Sequence, residues 1–240
     1  MSTIHFVGGE KGGVGKSVVS RLMSQYCLEK SKTFSGFDAD QSHGTLTRFY
    51  PEFTQPINLD IFESTDQIME RALENDQQVI IDLPAQSERF LDRWIDENGV
   101  LEMCEEMNIS VVYWYVVDDG IDSTNLIDSF LTKYYSNKQP SKLKFVGIKN
   151  EGRGTNFASI EASIVAHAGH HGERLQQAAL PGLHKETMRK IDKLSFSFWG
   201  AENIKDKNLQ TLSLMERQRT KVWLKKSYAM LDTIFSSLPK

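Results

Sequence analysis

Cysteine is nearly absent: Cys27 and Cys104 are the only two in 240 residues. That excludes a disulfide framework, and since neither stands in a Cys-x-x-Cys pair it also excludes a thiolate metal or redox centre. Both are expected as buried, reduced thiols. Long apolar runs are missing too, none approaching the roughly 20 residues that cross a bilayer. The first residues, Met1-Ser2-Thr3-Ile4-His5-Phe6, lack a basic stretch followed by an apolar one, so no secretory leader is read there and a cytoplasmic protein is expected. Charge of one sign is scarce: 28 Lys and Arg stand against 32 Asp and Glu, a net charge of -4. This excludes a uniformly basic nucleic-acid coat. The average hides an asymmetry, because residues 184–240 carry 12 Lys and Arg against 6 Asp and Glu, and the remainder 16 against 26.

What is present is an ordinary core-forming composition, 40% apolar and 25% charged, sufficient for one large domain. Short apolar runs alternate with longer amphipathic segments along the chain, the pattern of strands joined by crossover helices. Strands are expected over residues 4–7, 33–38, 57–62, 79–83, 110–117 and 143–148, with a short one ending near Leu180. Helices are expected over 16–29, 65–75, 87–107, 123–135, 156–168 and 185–193, with a long one inside 208–238. The run Val111-Val112-Tyr113-Trp114-Tyr115-Val116-Val117 is apolar without alternation, as in a strand covered on both faces. The predicted class is therefore α/β, a three-layer sandwich with a mostly parallel central sheet and helices on both faces. No internal repeat or low-complexity linker divides it.

Between the first strand and the first helix lies Gly8-Gly9-Glu10-Lys11-Gly12-Gly13-Val14-Gly15-Lys16-Ser17. Wrapping a polyphosphate requires glycines, so that successive N–H groups turn inward, and the positive end of the following helix adds to them. Gly12, Gly13 and Gly15 supply the first, Lys16 would reach the β- and γ-phosphates, and the Ser17 hydroxyl would ligate Mg²⁺. Glu10 stands where the general G-x-x-x-x-G-K-[ST] pattern has its first Gly, and Lys11 adds a second lysine. Two further segments converge on the same edge. Phe37-Asp38-Ala39-Asp40-Gln41 and Val79-Ile80-Ile81-Asp82-Leu83-Pro84 each end a strand in acid, at the carboxyl edge where α/β sheets bind ligands.

These three segments, in this order and spacing, resemble the ParA/MinD family of P-loop ATPases, most clearly over the first 150 residues. The resemblance implies an ATP-dependent homodimer in which Lys11 reaches the partner's phosphates while Lys16 acts on its own. It implies that Asp40 positions the attacking water, that Asp38 and Asp82 hold the Mg²⁺ water shell together with Ser17, and that Asn150 contacts adenine. The nucleotide-binding set is then Gly12, Gly13, Val14, Gly15, Lys16, Ser17, Val18 and Asn150, with ATP and Mg²⁺ as cofactors. Val18 replaces a hydroxyl residue common in the family, and Gln41 follows Asp40 without the frequent Pro.

Other features have plainer readings. His167, His170 and His171 lack the surrounding ligand spacing of a metal site and read as a solvated loop. Tyr113-Trp114-Tyr115 reads as core packing rather than base stacking. The segment 217–226 holds five basic residues and no acidic one. Arg217, Lys221 and Lys225 fall on one helical stripe, and with Arg219 and Lys226 they could meet nucleic-acid phosphates nonspecifically or serve only as a solvated face. The functional expectation is an ATP-driven switch with an activating partner protein, acting in plasmid partition, mobilisation or conjugative transfer. The alternatives are a metabolic ATP-dependent ligase or amidotransferase on the same fold and a MinD-like membrane-recruited regulator, though the carboxyl-terminal segment lacks the tight amphipathic pattern of a membrane-targeting helix. An iron–sulfur reductase would need bridging cysteines after the switch strands, and Cys27 falls instead in the first helix.

Overall fold

Strand Ser110–Val117 is apolar at every position from Val111 onward because both of its faces are covered. Val111, Tyr113, Tyr115 and Val117 enter one hydrophobic core, and Val112, Trp114 and Val116 enter another on the opposite face. The computed structural model describes residues 1–41, 44–135, 143–169, 174–206 and 210–238, and all its strand pairings are parallel. The strands are β1 (Thr3–Gly8), β2 (Phe34–Asp38), β3 (Thr54–Pro56), β4 (Gln78–Asp82), β5 (Ser110–Val117), β6 (Lys144–Asn150) and β7 (Leu175–Leu180). Their order in the sheet is β3-β2-β4-β1-β5-β6-β7. The topology reverses about β1, which opens a crevice at the carboxyl ends of β1, β2 and β4.

One face is covered by α4 (Gln67–Glu74), α5 (Glu88–Glu97), α6 (Val100–Glu106), α7 (Ile121–Tyr135) and α8 (Ala158–Ala168), whose buried members include Ile68, Trp94, Cys104, Phe130 and Ile164. The other is covered by α1 (Lys16–Glu29), α9 (Lys185–Leu194), α10 (Phe198–Asn203) and α11 (Leu214–Ser237), through Leu22, Ile191, Phe198 and Leu231 among others. Both cysteines are buried thiols, as expected. Burial pushes the Cys27 thiol up to about 12 and that of Cys104 to about 11. Tyr113, Trp114 and Tyr115 are buried in the core. Among the described residues no helix is long and apolar enough to cross a membrane.

Three expectations need correction. The strand expected over 57–62 is displaced to the short β3, because the Asn58 side chain accepts from the Asp60 N–H at 3.0 Å and turns the chain into α3 (Phe62–Thr65). Such an Asx turn competes with extended pairing. The helix expected over 87–107 is two helices, broken where Gly99 takes φ 57°, a left-handed conformation that ends a helix. The helices α2 (Thr45–Phe49) and α10 were not anticipated, being too short to display a period.

Candidate nucleotide site

The phosphate loop closes on α1 through Gly15, whose φ of 107° only glycine adopts readily. A Cβ there would also lie 2.3 Å from Asn150 Nδ2. Asn150 ends β6 and fastens the loop from behind: its Nδ2 donates to the Val14 carbonyl at 2.7 Å, and its Oδ1 accepts from the Gly152 N–H at 3.0 Å. Val14 is buried beneath the loop, whereas Gly12 and Gly13 are exposed at its rim.

Lys16 is only 8% exposed, and its Nζ donates to the Lys11 carbonyl at 2.8 Å. Burial lowers its pKa, against the opposing pull of Asp82, Glu10 and Asp40. A partly desolvated ammonium of this kind favours an incoming anion. Lys11 lies elsewhere, in an ion pair with Asp118 at 3.0 Å.

Asp38 and Asp82 are direct partners across the β2–β4 register. Asp38 is a buried loop organiser, its Oδ1 accepting from the Asp40 N–H at 3.1 Å and its Oδ2 from the Thr47 N–H at 3.0 Å. Asp82 is fully buried and accepts at Oδ1 from the Ser20 hydroxyl at 2.9 Å. Burial pushes its carboxyl up to about 7 and the Asp38 carboxylate adds to that, while Ser17, Ser20 and Lys16 oppose it. Its Oδ2 is buried with no hydrogen-bond partner.

Lys16 borders a cleft of about 560 Å³ that is lined also by Gly12, Gly13, Gly15, Ser17, Val18 and Asp40. Sequence reasoning missed three cations on the same cleft, Arg21, Arg48 and Arg153, and the carboxylate of Asp192. Arg21 lies four residues past Ser17 on α1, so helical spacing could have found it. Arg48 and Asp192 are joined only by the fold, Arg48 donating to the Asp192 carbonyl and, at 2.9 Å, to Ser195 Oγ. A second hollow of about 280 Å³ shares Val18, Arg153 and Asp192 with the first and continues past Asn150 to Leu180, Pro181, Leu183 and Trp223. The two hollows adjoin, and the second sets Leu180, Leu183, Met188 and Trp223 beside Arg153, Lys185 and Arg189.

Among the described residues no cluster of three His, Cys, Asp or Glu side chains could hold a metal by itself. A Ser17 hydroxyl against the buried Asp82 carboxyl, whose Oδ2 lacks a hydrogen-bond partner, fits a Mg²⁺ ion that arrives with phosphates and keeps several waters. His167 is bonded along its own helix, with Nδ1 2.9 Å from the Ser163 carbonyl; His170 and His171 lie outside the described residues. In the basic segment, Arg219, Lys221, Lys225 and Lys226 are exposed on α11, but Arg217 is half-buried and donates to the Leu212 carbonyl at 2.6 Å. Lys221 is 3.7 Å from Glu202.

No protein-family model matches the chain. The sequence is 26% identical over 245 residues to Protein TraL of Escherichia coli, covering 97% of this chain and 98% of that one. It is 26% identical over 133 residues to Protein MobD of Acidithiobacillus ferrooxidans, covering 54% of this chain and 57% of that one. The MinD cell division protein of Aquifex aeolicus shares the fold with a TM-score of 0.54 at 11% identity, over 94% of this chain and 96% of that one. A nucleotide-binding protein of Archaeoglobus fulgidus, solved in complex with ADP, does so with a TM-score of 0.51 at 14% identity, over 80% and 86%. The chain thus has the fold of these two proteins, a parallel seven-stranded sheet with a two-lysine glycine-rich loop at its switch point.

Proposed function

We propose that the protein binds and hydrolyses ATP as a dimerisation switch, and that it serves the mobilisation or conjugative transfer of plasmid DNA together with an activating partner protein. The observation that carries this reading is that Lys16, Ser17 and Asp40 line one cleft, with the buried Asp82 carboxyl acting on Ser17 and Lys16. In this reading the loop N–H groups and Lys16 bind the β- and γ-phosphates, and Ser17 with Asp38 and Asp82 holds Mg²⁺ and its waters. Magnesium, when bound with the nucleotide, supplies positive charge against the transferring phosphoryl oxygens. Asp40 orients the attacking water, which contributes by positioning. Asn150 borders the base and keeps the loop in shape. The likeness to TraL and MobD supports a role in transfer or mobilisation.

Titration calorimetry and light scattering test the proposal together. Wild type should bind MgATP and double in mass, Lys16→Ala should lose nucleotide affinity, and Asp40→Ala should bind ATP and accumulate as the dimer. Unchanged affinity in Lys16→Ala would refute the site. A monomer at saturating ATP in Asp40→Ala would refute the switch.

A further inference from the structure

Next to the phosphate cleft, and sharing Phe49 with it, lies a groove of about 500 Å³ formed by the end of α1, the segment after α2 and the start of α10. Its walls are aromatic: Phe49, Tyr50, Phe53 and Trp199 all line it. Two of these rings are left to water, Trp199 at 55% and Phe53 at 40% exposure. The walls are nevertheless fixed. Gln25 Oε1 accepts from the Tyr50 hydroxyl at 3.2 Å and from the Trp199 backbone N–H at 3.0 Å, and Phe53 stacks on Phe34 with centroids 5.3 Å apart.

The charge on the groove has one sign. Glu29 and Glu52 line it, and among the described residues no Lys or Arg does; the Phe49 ring already carries Arg21 and Arg48, at 3.5 and 4.8 Å from its centroid, so the rings open to a ligand cation are the exposed Trp199 and Phe53. Lys30, the cation adjacent in sequence, is engaged with Asp232 at 3.1 Å. Aromatic faces carry negative potential and attract cations, and carboxylates reinforce that preference. The same charge repels nucleic acid. The two glutamates sit on separate elements, so the complementary ligand carries more than one positive charge, with apolar groups between them for the rings. We infer that this groove docks a short segment of a partner protein in which lysine or arginine residues alternate with apolar ones. The inference does not depend on the nucleotide reading, because the groove is complete without the phosphate loop.

The test uses the full chain without nucleotide. The probes are a capped heptapeptide of alternating lysine and leucine, and its counterpart with glutamate for lysine. Of the four tryptophans, Trp94, Trp114 and Trp223 are buried, so acrylamide quenching reports Trp199. The lysine peptide should shield Trp199 and the glutamate peptide should not. Both glutamates are exposed, so changing Glu29→Lys and Glu52→Lys together leaves the core intact; it should weaken the lysine peptide at least about ten-fold, the loss expected for roughly 1.4 kcal/mol of charge complementarity. Three results would overturn the proposal: equal shielding by both peptides, unchanged affinity in the double variant, or calorimetric binding that leaves Trp199 open to acrylamide.

Discussion

Lys11 and Asp118 form an ion pair at 3.0 Å within one chain, so the second lysine of the phosphate loop is held at the carboxyl end of β5. Asp118 is prepared for this. Partial burial would raise its pKa, but the Ser123 hydroxyl, Lys11 and the Gly120 N–H together bring it below the ordinary range. In the proposed dimer, a cross-subunit reach by Lys11 competes with this pair. With 30% and 21% exposure on its two sides, the pair is worth only ~0.2–1 kcal/mol. Two pairs, one per protomer, give way in a symmetric dimer, so Asp118→Asn should tighten ATP-dependent self-association by up to about thirty-fold, while Lys11→Ala should bind ATP and stay monomeric. Sedimentation equilibrium across ATP concentrations measures both. Unaltered association in Asp118→Asn would mean that the pair does not hold the lysine back.

Arg21 is 2% exposed, and its guanidinium lies 3.5 Å from the Phe49 ring centroid and 2.7 Å from Asp192. Its Nε and Nη2 are buried without partners. Burial lowers its pKa, and the nearby Asp192 carboxylate acts against that. A buried ion pair with unsatisfied donors contributes little net stability, whereas the volume it fills contributes much. Arg21→Met should keep the fold within about 1 kcal/mol of wild type, and Arg21→Ala should cost about 2–4 kcal/mol through the cavity left between Phe49 and Phe198. Urea unfolding distinguishes them. Equal losses in the two variants would show that the charge, not the volume, matters.

The sequence makes the sheet and the loop legible because both depend on local pattern. An uninterrupted apolar run specifies β5, and the run Gly12 to Ser17 specifies a strand-to-helix phosphate loop. What it conceals is set by distance along the chain. Nothing near Lys11 announces Asp118, which is 107 residues away, nor does anything near Arg48 announce Asp192. Asn150 shows the same limit differently. Its place at a strand end was read correctly, but its clamp on Val14 exists only once β6 stands beside the loop. Arg217 reads from the sequence as one of three cations on a periodic stripe with Lys221 and Lys225, yet α11 begins with a capping box between Ser213 and Glu216, and Arg217 turns back to secure that end.

His5 gives the protein a pH dependence of definite sign. Its Nδ1 accepts from Trp114 Nε1 at 3.0 Å and its Nε2 lies 2.8 Å from Gln78 Oε1, an arrangement that suits the neutral ring. Burial pushes its pKa down to about 4, against the raising effect of Gln78. Since the unfolded chain binds the proton first, near pH 6.5, this contribution is complete above that pH and is lost as the pH falls toward 4. The loss is at most about 3 kcal/mol, at about 1.4 kcal/mol per unit. His5→Gln should be less stable than wild type at pH 7.5 but lose less between pH 7 and 4.5. Parallel stability curves for the two proteins would show that His5 does not titrate in this window.

The capping role of Arg217 divides the basic helix into two classes of residue with different expected phenotypes. Arg217→Gln removes a hydrogen bond to the Leu212 carbonyl and should lower thermal stability, by about 1.5–3 kcal/mol for a charged donor at a helix start, with little change in any DNA affinity. Arg219, Lys225 and Lys226 are exposed and available to phosphates. Changing these three to Gln removes six cations from a dimer, and since each neutralised phosphate contributes a slope of about -0.9 to the salt dependence, the slope should flatten by about 5 if all six engage. A filter-binding salt series with ATP and with ADP measures this. Binding should require ATP, because one protomer alone presents half as many contacts. A slope unchanged by the triple substitution, or equal binding in both nucleotide states, would remove α11 from the nucleic-acid surface and leave protein partners as its ligands.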